Sequence, residues 1–148
     1  MIAIVQRVTS AKVSINNKKY NKINKGLLVL LGIDKDDSEQ DINYLIHKVT
    51  KLRIFNDDMN KMNLSISDIN GDIMVVSQFT LLANVQKGMR PSFINAAEPH
   101  LAEKWYNLFI HKLNETNLNI KTGKFGAMME IDLINHGPAT FILDSKNQ

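Results

Sequence analysis

The chain has 148 residues, 44% of them hydrophobic and 22% charged, an ordinary globular composition at the usual size of one domain, so residues 1–148 are expected to share a single core. Cysteine is absent, which excludes thiol nucleophiles, thiolate zinc sites and disulfide scaffolds, and fits a reducing cytoplasm. The formal net charge of +3 helps an encounter with a phosphate backbone without diagnosing one.

Residues 2–8 and 11–15 alternate with the period of half-buried strands, and Gly26-Leu27-Leu28-Val29-Leu30-Leu31-Gly32 reads as a strand buried on both faces. The apolar opening stops at Gln6 and Arg7, too early for an export signal, and the run 27–31 falls far short of the roughly 20 residues that span a bilayer, so no membrane partner is expected. Lys18, Lys19, Lys22 and Lys25 read as solvated loops or strand edges rather than as an RNA patch. Asp36-Asp37-Ser38 supplies a helix cap with Asp41 three residues beyond Ser38, and Ile42, Leu45, Ile46, Val49 and Leu52 follow at helical spacing.

Arg53-Ile54-Phe55 and Met62-Asn63-Leu64 flank a turn-rich stretch, and Asn70-Gly71-Asp72 leads into a strand over residues 73–79. No period holds over residues 82–95, where Gly88 and Pro91 fall, so a functional loop is expected there. Pro99 suits the first turn of a second helix, with Leu101, Trp105, Leu108, Phe109 and Leu113 as its apolar face and Trp105 as core rather than a binding platform. Residues 128–134 and 139–143 read as two strands joined by a sharp connection, Asn135-His136-Gly137-Pro138. The order of elements predicts an α+β fold, a curved sheet or barrel-like core with two main helices packed outside.

The four histidines are scattered without H-E-x-x-H spacing or an acidic cluster, so no metal site is expected, and neither a phosphate-cradling glycine loop nor a G-x-S-x-G nucleophile elbow is present. What remains is Ser77-Gln78-Phe79-Thr80-Leu81 at the end of the most apolar strand of the second half, where free N–H groups offer an oxyanion hole, and Gly137-Pro138, which orients carbonyls. By spacing alone, Ser77 and Thr80 read as hydroxyls that satisfy a strand terminus, and Gly137-Pro138 as an ordinary turn.

Taken together, ordered segments across the whole chain resemble the bacterial and eukaryotic D-aminoacyl-tRNA deacylases. They are Met1-Ile2-Ala3-Ile4-Val5-Gln6-Arg7-Val8, the glycine-bounded strand at 26–32, Arg53-Ile54-Phe55, Lys61-Met62-Asn63-Leu64, Ser77-Gln78-Phe79-Thr80-Leu81, Gly88-Met89-Arg90-Pro91-Ser92-Phe93 and Asn135-His136-Gly137-Pro138-Ala139-Thr140-Phe141. The resemblance implies a homodimer acting on aminoacyl-tRNA without a cofactor, with active sites at the subunit interface, each receiving a Gly-cis-Pro element from the partner. On this reading Gly137 and Pro138 select chirality and Arg7 holds them in place. Ser77, Gln78, Phe79 and Thr80 form the catalytic wall, and Phe125 and Met129 cradle the terminal adenine.

Ala139 and His136 stand where valine and an acidic residue are usual, and neither change removes a group assigned to the reaction. The implied activity is hydrolysis of D-aminoacyl-tRNA, and of glycyl-tRNA mischarged on tRNA(Ala), with rejection of L-aminoacyl-tRNA. Because an aminoacyl ester is already activated and has a neighbouring ribose hydroxyl, the site need only position the carbonyl and stabilise an oxyanion. Thr80 as a nucleophile is the rival role, without a visible base to activate it. A noncatalytic RNA-binding module, a detached synthetase editing domain for L-amino acids, and a purely structural dimer are the competing readings.

Overall fold

The alternating apolar residues of the N-terminus form one long strand, β1 (Ile2–Ile15), and not two, because its halves find different neighbours. The computed structural model describes residues 1–86 and 88–147; Lys87, within the irregular segment, and Gln148 lie outside them. The first half of β1 pairs antiparallel with β3 (Gly26–Gly32), from Ile2 opposite Gly32 to Val8 opposite Gly26, and the second half pairs with β2 (Lys18–Ile23). β3 then lies parallel to β6 (Asp72–Ser77), and β6 parallel to β7 (Ile120–Thr122). The last strand, β8 (Glu130–Asp144), runs antiparallel along the other side of β1 for nearly its whole length. Asn21 of β2 donates its side-chain N–H to the carbonyl of Thr122 at 2.7 Å, which brings the two ends of the sheet together into a nearly closed barrel.

The period-2 side-chain rule sends alternate residues to opposite faces, and in the central strands β3 and β6 both faces are buried. Val29, Ile73 and Val75 face the helices, while Leu28, Met74 and Val76 face the barrel interior with Val8, Ala11 and Val13. Helix α1 (Glu39–Lys51) begins at Ser38 with the expected capping box, closed by Asp41, and buries Ile42, Leu45 and Val49. Helix α2 (Pro99–Asn114) starts with its proline and packs the expected face on the core: Phe109 and Leu113 are buried together with Ala102 and Tyr106, and Leu101, Trp105 and Leu108 flank them half-buried. The Tyr106 hydroxyl donates to the Val75 carbonyl at 2.9 Å, which satisfies the polar tip inside the core. Burial pushes that phenol well above its ordinary pKa, with the charge of Tyr20 adding to the shift. The short ribbon β4 (Phe55–Asn56) and β5 (Met62–Leu64) covers one end.

Two expectations about strand ends are corrected. The strand over residues 73–79 ends at Ser77, because Gln78 leaves the ladder and residues Phe79–Leu82 wind into a 3-10 turn. The strands at 128–134 and 139–143 are one strand with a bulge: between the pairs Gln6–Thr140 and Val8–Asn135, β1 supplies only Arg7, while β8 supplies His136, Gly137, Pro138 and Ala139. The surplus residues swell outward from the ladder.

Candidate active site

The parallel strands β3 and β6 end side by side, Leu31 opposite Ser77. One further ladder bond, from the Gln78 N–H to the Leu31 carbonyl at 2.8 Å, carries the pairing just past the strand end before the chain turns. In the 3-10 turn, Leu81 donates to the Gln78 carbonyl and Ala83 to the Thr80 carbonyl. The opening N–H groups of such a turn have no acceptor within it. Among the described residues the N–H groups of Phe79 and Thr80 have no hydrogen-bond partner. They lie beside each other at the end of a rigid strand, the arrangement an oxyanion needs.

The start of this turn borders a cavity of about 620 Å³ lined by Ser77, Gln78 and Phe79 on one wall, Phe125 and Met129 on another, and the start of α2 on a third. Ligand sites at the carboxyl ends of parallel strands are a general consequence of where such strands leave their backbone groups. Phe79 is 57% exposed, so its ring stands in the opening rather than in the core. The Thr80 hydroxyl accepts a short hydrogen bond from the Gln78 amide. Among the described residues no histidine or carboxylate is hydrogen-bonded to that hydroxyl, so none of them serves it as a base.

The pocket thus brings together Ser77, Gln78, Phe79, Phe125 and Met129 of the predicted set, with Thr80 adjacent in the turn. Arg7, Gly137 and Pro138 do not line it; they form a second constellation at the bulge of β8. Arg7 is only 3% exposed and donates to four acceptors: the carbonyls of Ile54 (2.6 Å), His136 (3.0 Å) and Gly137 (3.3 Å), and the Asn56 side-chain oxygen (3.1 Å). A guanidinium presents its donors in a fixed fork, so these bonds hold the bulge to the end of β4 in one orientation. The Gly137–Pro138 peptide bond is cis, and both residues are exposed.

β8 pairs with β1 alone, which leaves its outer edge unpaired among the described residues. Ile134 is 62% and Ile142 74% exposed on that strand. An unpaired, apolar edge is a template for a second chain.

Sequence reasoning missed Glu98, the titratable residue in the pocket lining among the described residues, and placed Phe93 only within a functional loop. Phe93 packs edge-on against Phe79, with ring centroids 5.0 Å apart, and so forms part of the wall. The signal for Glu98 was hidden in its position before Pro99, where an acid reads as a helix cap; its side chain makes no cap bond. No group of three His, Cys, Asp or Glu side chains converges among the described residues.

Residues 4–144 match the family model for D-Tyr-tRNA(Tyr) deacylase. The chain is 51% identical to a D-aminoacyl-tRNA deacylase of Desulfatibacillum aliphaticivorans, over 99% of this chain and 100% of that one. It is 52% identical to a D-aminoacyl-tRNA deacylase of Thermosipho melanesiensis, over 99% and 98%. A solved structure named c-Myc DNA Unwinding Element Binding Protein superposes with a TM-score of 0.92 at 40% identity, covering 97% of this chain and 98% of that one.

Proposed function

The chain belongs to the D-Tyr-tRNA(Tyr) deacylase family, and we propose that its chemistry takes place in the pocket at the ends of β3 and β6, completed by the bulge of a second copy. Its activity is proofreading: hydrolysis of the ester in D-aminoacyl-tRNA to free D-amino acid and tRNA.

The observation that carries the site assignment is the pair of unpartnered N–H groups at Phe79 and Thr80, beside a cavity that also holds Phe125 and Met129. Water adds to the ester carbonyl, the oxyanion takes hydrogen bonds from the two N–H groups, and the C–O bond to ribose then breaks with a proton passing to the ribose oxygen. The neighbouring ribose hydroxyl assists attack, so no protein nucleophile is required. The terminal adenine lies between Phe125 and Met129, an aromatic face and a polarisable thioether.

The bulge supplies chirality. Within one chain it lies away from the pocket, so a second copy delivers it, docked through the unpaired edge of β8. Held by Arg7, Gly137 and Pro138 of that copy wall off the direction in which an L side chain projects. D- and L-substrates carry identical groups, and exclusion is the economical way to separate them. Glycine has no side chain to exclude, so glycyl-tRNA, including that mischarged on tRNA(Ala), is hydrolysed too. No helix among the described residues is long and apolar enough to cross a membrane, and a translational substrate supports a cytoplasmic role.

The test is deacylation of matched D-tyrosyl-, L-tyrosyl- and glycyl-tRNA by purified protein. D-tyrosyl and glycyl esters are cleaved and the L-tyrosyl ester is not. Appreciable L-tyrosyl turnover, or D-tyrosyl turnover with complete refusal of glycine, contradicts selection by exclusion.

A further inference from the structure

Two of the lysines that the sequence marks as solvated, Lys18 and Lys19, and two on the β7–β8 connection, Lys121 and Lys124, lie on segments next to the Phe125 and Met129 side of the pocket. Ser14 of β1 stands opposite Lys19 on β2 and opposite Glu130 on β8, so the three form one row across the sheet. At strand spacings of about 4.8 Å, Lys19 is roughly 10 Å from Glu130, the residue that follows Met129. Lys18 lies one place further toward the hairpin tip, opposite Ile15.

On the other side, the bond from Asn21 to the Thr122 carbonyl ties β2 to the end of β7, two residues before Lys124. Lys124 begins the turn that presents Phe125, and its N–H donates to the Met129 sulfur at 3.4 Å. Lys121 is half-buried at the same seam. The hairpin tip and the β7–β8 loop therefore bracket the Phe125 and Met129 wall with four lysines.

Among the described residues Lys12, Lys112 and Lys146 have carboxylate partners, whereas Lys18, Lys19, Lys121 and Lys124 take part in no ion pair. Glu130 is the acid of this rim, exposed and likewise without an ion pair. A set of unpaired cations at the adenine end of a nucleic-acid pocket fits a polyanion that enters there.

We propose that Lys18, Lys19, Lys121 and Lys124 bind the phosphates of the unpaired nucleotides that precede the terminal adenosine of the tRNA substrate. This rests on the deacylase reading of the pocket: an adenine held by Phe125 and Met129 directs the rest of the strand over this rim. Phosphate contacts fix register and orientation and read no sequence. The rim thus acts on any aminoacyl-tRNA alike, and leaves chirality to the bulge.

The experiment compares the wild-type protein with a variant carrying Lys18→Gln, Lys19→Gln, Lys121→Gln and Lys124→Gln on two substrates: D-tyrosyl-tRNA and the 3′-D-tyrosyl ester of adenosine, which has no phosphates. Lys48→Gln on α1 serves as the control, and thermal unfolding confirms that each variant is folded. On D-tyrosyl-tRNA the quadruple variant is expected to raise KM about tenfold or more and to flatten the dependence of log kcat/KM on log salt, each lost phosphate contact removing about 0.7 from the slope on a single strand. On the adenosine ester, kcat/KM is expected to stay within about twofold of wild type, as for a surface change away from the reacting atoms.

Equal loss on both substrates assigns the lysines to the reaction site and overturns the proposal. An unchanged KM and salt slope on tRNA overturns it as well. If the wild type cleaves neither substrate, the deacylase reading fails by itself, and the rim is then judged by uncharged tRNA: tenfold weaker binding by the variant supports the rim, and equal binding overturns it.

Discussion

The helix-covered face of the sheet and the outer edge of β8 treat the same kind of residue in opposite ways. Under the helices, Ile42, Leu45, Val49, Phe109 and Leu113 are fully enclosed against Ala3, Val5, Val29 and Ile73. Along β8, Ile134 and Ile142 stand in the open beside an unpaired backbone edge and an exposed cis-proline. The first region is complete within one chain. The second leaves apolar side chains without a cover, and the buried Arg7 fixes a backbone shape there and not a packed interior. The enclosed core and the exposed bulge thus lie on different sides of β1.

The contrast predicts different responses to substitution. Phe109→Ala, in the closed region, opens a cavity in a packed interior and should cost about 3–5 kcal/mol, read as the urea midpoint. Activity of the molecules that remain folded should be unchanged. Arg7→Met, at the boundary, strands four acceptors and should cost about 1–3 kcal/mol while lowering kcat/KM on D-tyrosyl-tRNA by about a hundredfold, because the bulge loses its orientation. Unfolding and kinetics measured on one preparation separate the two losses.

On the open edge, Ile134→Asp should move stability at high dilution by no more than about 0.5 kcal/mol. It should nevertheless convert a dimer to monomer in sedimentation and abolish turnover. A destabilised monomer with intact association would erase the distinction between the regions.

The smallest effect is at the terminus of α1. Burial pushes the Asp41 carboxyl up, but hydrogen bonds from Ser145, Lys146 and Ser38 outweigh it and leave the group well below the usual carboxylate range. Because the folded pKa is depressed, the stabilisation is present above the unfolded value of about 3.9 and is lost as pH falls through the folded value. Asp41→Asn should cost about 1 kcal/mol at neutral pH by opening the capping box, and should flatten the acid limb below about pH 4. Urea midpoints across that range check it.

These two regions were unequally legible in the sequence. The closed one is written in local rules: the Ser38 and Asp41 capping box, the glycine-bounded apolar run at 26–32 and the proline opening α2 all keep their meaning in the fold. Within it, the α2 face was read without Tyr106, whose hydroxyl finds its acceptor 31 residues away, at Val75. The open region depends on long-range pairing. That one residue of β1 faces four of β8 follows from register across the whole chain, which the local pattern of residues 128–143 cannot carry. Phe93 and Glu98 reach the pocket only because α2 begins at the end of β3, and the unpaired lysines gather only when β2 closes on β7. The family resemblance marked Arg7, Gly137 and Pro138, and the structure shows how the guanidinium holds the bulge.

The central claim is that one site is built from the pocket of one chain and the bulge of another, and complementation tests it most directly. Phe79→Pro removes one oxyanion donor at a position where proline suits the start of a turn, and should cost about 10²–10³-fold in rate, whereas Phe79→Ala keeps the donor and should cost far less. Gly137→Leu places a side chain where only the Asn135 amide lies near, at 3.4 Å, so the single chain accommodates it while the facing pocket is blocked. Each variant alone should be nearly inactive. Unfolded together and refolded at equal amounts, half the dimers of a two-fold assembly are mixed and each has one intact site, so about a quarter of wild-type activity should return. No recovery, with mixed dimers demonstrated by mass, means that pocket and bulge act within the same chain and contradicts the account.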